Sequence, residues 1–158
     1  MITVVCVGKL RERYFRDAQA EYLKRLSGLM PCEVVEVRDE PEPKQLSDAA
    51  IDQTLRTEAG RLLEKIPDTA YTVALFVDAK QPASEELAGK LNRLFLDGKS
   101  DIVFVIGGSL GLHKSVLDRA QQRLSMSRMT FPHQLARIIL LEQLYRAAKI
   151  NAGQRYHK

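Results

Sequence analysis

Phe104 to Gly111, FVIGGSLG, holds the densest set of residues that could do chemistry in this chain. Gly107-Gly108-Ser109-Leu110-Gly111 fits the G-x-S-x-G pattern of a hydrolase nucleophile elbow, in which a serine on a strand-to-helix turn is followed by an acid and then a histidine. That order is available: Ser109, then Asp118 or Glu142, then His133 or His157. Against it, the acid would come from a helix rather than a loop after a later strand, and a pattern with two free positions is weak in a glycine-rich turn. Phosphate-cradle motifs fail on spacing. The glycines run G-G-x-x-G rather than G-x-G-x-x-G, no acid lies between Asp118 and Glu142, and Lys114-Ser115 follows His113 where a Walker loop needs glycine. Two readings of the loop stay open: a ligand approaching the backbone closely at the end of a strand, or a tight turn requiring positive φ.

No metal site is expected, because His113, His133 and His157 are widely separated and neither Cys6 nor Cys32 has a ligand-spaced partner. Both cysteines read as reduced core residues. The longest apolar run in the last helix, Ile138 to Leu141, is far short of the roughly 20 residues that span a bilayer, so no membrane segment is expected. The opening MITVVCVGKLRERYF reads as a strand followed by charge, without a signal-peptide core, which predicts a cytoplasmic protein.

The elements that must position the loop follow from periodicity. Short β-branched runs alternate with amphipathic segments, which predicts a single α/β domain over 1–158 with a mainly parallel sheet. Strands are expected at Ile2–Val7, Cys32–Val37, Tyr71–Val77, Asp101–Ile106 and Leu124–Met126. Helices are expected at Arg13–Leu26, Asp48–Lys65 with Ser47 as N-cap, Ser84 to Gly98, Lys114–Ala120, and from a Thr130 cap to about Lys149. The last helix carries Leu135, Ile138, Ile139, Leu140, Leu141, Leu144, Tyr145 and Ala148, more than one apolar stripe, which predicts packing against a second copy in a homodimer.

Charge is uneven. From residue 107 onward nine Lys and Arg stand against two acidic residues, a net +7, so the first 106 residues sum to −3 in a chain of net charge +4. A basic C-terminal third suits either a polyanionic partner such as nucleic acid or an ordinary solvated surface.

Taken together, DIVFVIGGSLGLHKSVL, LSMSRMTFPHQLARIILLEQLYRA, the ending YHK and the opening VVCVGKLRERYF resemble the SPOUT-class RNA methyltransferases, specifically the ribosomal RNA large subunit methyltransferase H family, over essentially the whole chain. The resemblance implies an α/β fold with a C-terminal deep trefoil knot (about 101–158), a homodimer, and methylation of N3 of a pseudouridine in 23S rRNA on the assembled ribosome with S-adenosylmethionine as donor. It places donor contacts on Leu75, Gly107, Met126, Ser127, Arg128, Met129, Thr130 and Phe131. Since N3 carries a proton, a base, or a group that stabilises the deprotonated ring, is expected. His157 is the first candidate, with Tyr156 beside it, and His133 reads as structural. Arg137, Arg155 and Lys158 would meet phosphates or carbonyls, with pairing to Glu142 as the alternative for Arg137. The rival classes are a non-catalytic ribosome-binding factor and the serine hydrolase.

Overall fold

The computed structural model describes residues 1–158. Strand β1 (Ile2–Val7) leads through α1 (Arg13–Leu26) to β2 (Cys32–Val37), then α2 (Asp48–Leu63), β3 (Tyr71–Leu75), α3 (Ser84–Leu96), β4 (Ile102–Ile106), α4 (Lys114–Arg119), β5 (Gln122–Leu124) and α5 (His133–Asn151). All pairings are parallel and the sheet order is β2-β1-β4-β3-β5. β4 is buried along its whole length, because helices cover both faces of a parallel sheet.

The two-residue side-chain period of a strand divides the core in two. Ile2, Val4 and Cys6 of β1 with Ile102, Phe104 and Ile106 of β4 face α3 and α5. Val5, Val7, Val103 and Val105 face the opposite way, onto Ala59 and Leu62 of α2 and Val116 of α4. The chain therefore reaches β4 across one face and leaves it across the other. This divergence opens a crevice at the carboxyl ends of β3 and β4, where open parallel sheets bind ligands.

Several expected boundaries move. β3 ends at Leu75 rather than Val77, and α2 at Leu63 rather than Lys65. β5 is Gln122–Leu124 rather than Leu124–Met126, since Ser125 N–H leaves the ladder to donate to Lys80 O at 3.0 Å. Thr130 does not cap α5. Pro132 occupies the N-cap without a side-chain hydrogen bond, and Arg128 to Thr130 lie exposed in a non-helical segment. That segment is held by short-range bonds, Ser125 Oγ–H to Ser127 O at 3.0 Å and Met129 N–H to Ser127 Oγ at 2.9 Å. The cap of α2 is as expected, Ser47 Oγ accepting from Ala50 N–H.

Within the chain, Leu140, Leu141, Leu144, Ala147 and Ala148 of α5 are buried. Leu135, Ile138 and Ile139 stay half-buried on one stripe.

Candidate functional site

The glycine loop is built by close backbone approach. A Cβ on Gly107 would stand 2.6 Å from the carbonyl carbon of Gly111, and closer still to its oxygen, with Leu112 Cδ2 at 3.1 Å. Gly111 itself has φ +92°, a left-handed turn that favours glycine, and its N–H donates to Gly108 O at 3.1 Å. Gly107 therefore lets the loop backbone pack on itself and Gly111 makes the turn, so the positive-φ reading of this loop holds at Gly111.

The loop closes one side of a cavity of about 810 Å³ outside the carboxyl ends of β3, β4 and β5. Leu75, Gly107, Met126, Ser127, Met129, Thr130 and Phe131 line it, seven of the eight residues expected to hold a donor. Arg128 is not in the lining and is exposed. The sequence reading missed Phe76 and Val77, which extend the wall beyond the end of β3, and Leu110 and Leu112 of the glycine loop. Volume and apolar walls suit a nucleoside-sized ligand. His133 also borders the cavity, at the start of α5. Burial lowers the pKa of its imidazole, and the nearby Arg137 cation adds to that, which favours the neutral ring expected of a structural histidine.

Ser109 is not a nucleophile here. Its hydroxyl donates to Glu42 Oε1 at 2.6 Å and no histidine bonds to it. A different Ser-His-Asp trio exists, Ser115, His113 and Asp52, but its geometry is that of a helix cap. His113 Nδ1 accepts from Ser115 N–H at 3.1 Å, and Nε2 meets Asp52 Oδ1 at 3.3 Å. None of the three borders the cavity.

Glu58 supports the loop from the other side of the sheet. It is 5% exposed, its Oε2 accepts Glu40 N–H at 3.0 Å, and a Cβ on Gly108 would stand 3.3 Å from that oxygen. With Ser109–Glu42, this contact fastens the segment after β2 to the glycine loop. Desolvation raises the Glu58 pKa; Asp39 and Glu40 push the same way, while the Glu40 N–H and Arg61 oppose them. The folded chain thus holds this proton more tightly than the unfolded chain, so stability falls as pH rises from the ordinary carboxyl value through the raised one. Glu58→Gln is expected to melt above the parent protein at about pH 8, with the gap closing toward about pH 4. Calorimetric melts across that range check this, and a gap independent of pH contradicts it.

Arg137 requires a correction. Its side chain is 1% exposed, pairs with Glu36 at 2.7 Å and donates to Gly8 O at 2.8 Å. It is a buried brace between α5, β1 and β2 and reaches neither solvent nor a phosphate. Glu142 takes Arg146 instead, at 2.6 Å.

The C-terminal residues lie outside this cavity. The Tyr156 ring meets Tyr145 edge-on at 4.8 Å between centroids, and its hydroxyl donates to Glu142 Oε1 at 3.2 Å. His157 Nδ1 lies 3.2 Å from Arg146 Nη1 and its Nε2 lies 2.6 Å from Glu85 Oε1. Arginine only donates, so Nδ1 is the acceptor and Nε2 carries the proton given to Glu85. Arg146 is 13 residues from His133, about 20 Å along α5. Arg155 and Lys158 are exposed.

A family model described as "Predicted SPOUT methyltransferase" matches residues 1–157. The chain belongs to the SPOUT methyltransferases. A protein of Listeria monocytogenes serovar 1/2a named "Ribosomal RNA large subunit methyltransferase H" is 52% identical over 157 residues, covering 99% of each chain. One of the same name from Bifidobacterium adolescentis is also 52% identical with the same coverage, and one from Bacillus cereus is 49% identical. Among solved structures, a probable methylase family protein from Haemophilus influenzae shares the fold, with TM-score 0.55 at 12% identity over 99% of this chain and 70% of its own. For this SPOUT methyltransferase the cavity at the glycine loop becomes the candidate donor site.

Proposed function

We propose that this methyltransferase transfers the methyl group of S-adenosylmethionine to N3 of a pseudouridine in 23S rRNA, acting in the cytoplasm on the assembled ribosome as a homodimer. The observation that carries the reading is the glycine cradle, a cavity wall packed so closely that Gly107 has no room for a Cβ, in a chain about half identical to proteins named for ribosomal RNA methylation. The cavity residues fit such a donor: Leu75, Met126 and Phe131 supply apolar walls, and the segment from Ser127 to Thr130 supplies backbone amides for the adenine.

The sulfonium supplies an already activated methyl group, so the protein's own work is alignment, exclusion of water and handling of one proton. The N3 proton must leave before the nitrogen lone pair can attack, and His157 is the base assigned to it, with Tyr156 beside the target ring. Since the two residues lie outside the cavity of their own chain, they serve the partner subunit's pocket. An antiparallel pairing of two α5 helices about a two-fold axis would carry each tail toward the start of the other helix. The half-buried stripe Leu135, Ile138 and Ile139 supports that contact. Arg155 and Lys158, exposed at the tail, are assigned to rRNA phosphates. The path of the chain from β4 to the far-edge strand β5 and back through α5 onto α1 and α3 supports the trefoil knot over about 101–158.

Ile139→Asp is expected to give monomer, because it sets a charge in the apolar stripe without entering the core. Tyr145, 9% exposed and stacked on Tyr156 within the chain, is unsuitable for that test. Sedimentation at micromolar concentration checks the state, and a parent protein that is already monomeric overturns the dimer. The activity itself is tested by transfer of labelled methyl from S-adenosylmethionine to ribosomes lacking the modification.

A further inference from the structure

We infer that the surface segment Lys9–Arg16, between β1 and the first turn of α1, is a second rRNA contact, with Tyr14 stacking on an unpaired base beside the target nucleotide. The inference rests on the rRNA reading above and adds to it where the RNA is held. The segment reads KLRERYFR, basic side chains interleaved with two aromatics. Tyr14 is 66% exposed, among the most exposed large apolar side chains of the molecule, and its ring lies 4.6 Å from that of Phe15. Exposed Lys9 and Arg11 form no ion pair, and Arg13 meets only Asp17, at 3.7 Å in solvent. An exposed aromatic face among solvent-facing cations suits single-stranded RNA, whose bases stack and whose phosphates are neutralised together.

Position and rigidity support this role. Gly8, with φ +85°, turns the chain out of the carboxyl end of β1, and a Cβ there would stand 3.7 Å from Nε2 of His133 on the cavity wall. The segment is thus launched from the rim of the donor pocket. Its base is fixed by Arg137, whose guanidinium is held by Glu36 and donates to Gly8 O. Its turn is fixed by Arg16, whose Nη1 donates to Arg11 O at 2.6 Å and lies 3.3 Å from Leu10 O. The buried arginine that reaches no phosphate itself therefore holds in place the basic residues that can. Such fixing lowers the entropy lost on binding.

Tyr14→Ala and the double variant Arg11→Gln, Arg13→Gln separate this contact from the rest of the site. All three positions are exposed, so folding and donor affinity by titration calorimetry are expected to match the parent. Tyr14→Ala is expected to raise KM for ribosomes about tenfold with kcat little changed, as for loss of one base stack. The arginine variant is expected to weaken ribosome binding and to lower the steepness of its salt dependence by about one for each phosphate that is no longer neutralised. Unchanged KM and salt dependence in both variants, with a parent enzyme that methylates rRNA, overturn this inference alone. Loss of dimer in either variant assigns the segment to the subunit interface and also overturns it. A parent enzyme that transfers no methyl to rRNA removes the underlying reading and this second RNA contact with it.

Discussion

Gly107→Val is expected to abolish binding of S-adenosylmethionine. The first atom of the new side chain already falls 2.6 Å from the Gly111 carbonyl carbon and 3.1 Å from Leu112, so the loop must open before the larger branches are placed. Overpacking of this kind costs about 1–3 kcal/mol where the surroundings can yield. Here the atoms in the way are backbone of the cradle itself, so a loss of roughly a hundredfold or more in affinity is expected. Gly108→Ala makes the graded comparison. Its Cβ would meet Val7 Cγ1 at 3.2 Å and Glu58 at 3.3 Å, side chains able to shift, and a smaller loss follows. Titration calorimetry on both proteins, with thermal melts to confirm folding, checks the order. Donor affinity in Gly107→Val equal to that of the parent contradicts the placement of the pocket. Ser109→Ala should leave esterase assays at background, since this hydroxyl is bonded to Glu42 and has no histidine partner.

The second large effect is expected at the tail. His157→Ala should slow the methyl-transfer step by about 10²–10⁴-fold, the range typical of losing a general base, with donor affinity little changed because the imidazole is assigned to the target ring rather than to the donor. In the observed arrangement both ring nitrogens are engaged, Nδ1 by Arg146 and Nε2 by Glu85. Accepting the N3 proton therefore requires the imidazole to leave at least one of these partners when the substrate arrives. Deleting Arg155 to Lys158 should give a comparable loss of transfer, with a modest cost in stability because the Tyr156 ring packs on Tyr145. Single-turnover transfer to unmodified ribosomes measures both, and parent-like rates in either protein remove the tail from the chemistry.

The fold was readable where local pattern and global packing agree. Ile2–Val7 and Ile102–Ile106 alternate between two buried faces, and Arg13–Leu26 shows its apolar stripe at helical spacing, so these elements stand where periodicity puts them. Thr130 failed as a cap because side-chain type alone cannot show that the backbone stays non-helical until Pro132. Arg137 was misjudged because its partners, Glu36 and Gly8, are about a hundred residues away in sequence. Its place among Leu135, Ala136, Ile138 and Ile139 was the available sign of burial. Glu58 left no motif at all. Its contact with the glycine loop exists only once α2 lies across the sheet, and no spacing in the sequence announces it.

Methylation of a 23S rRNA pseudouridine is tested most directly by nucleoside mass spectrometry of that rRNA from cells with and without this gene. N3-methylpseudouridine is expected to disappear on deletion, to return with the parent gene, and not to return with Gly107→Val or His157→Ala. An unchanged methylation profile in the deletion strain would contradict the proposed activity.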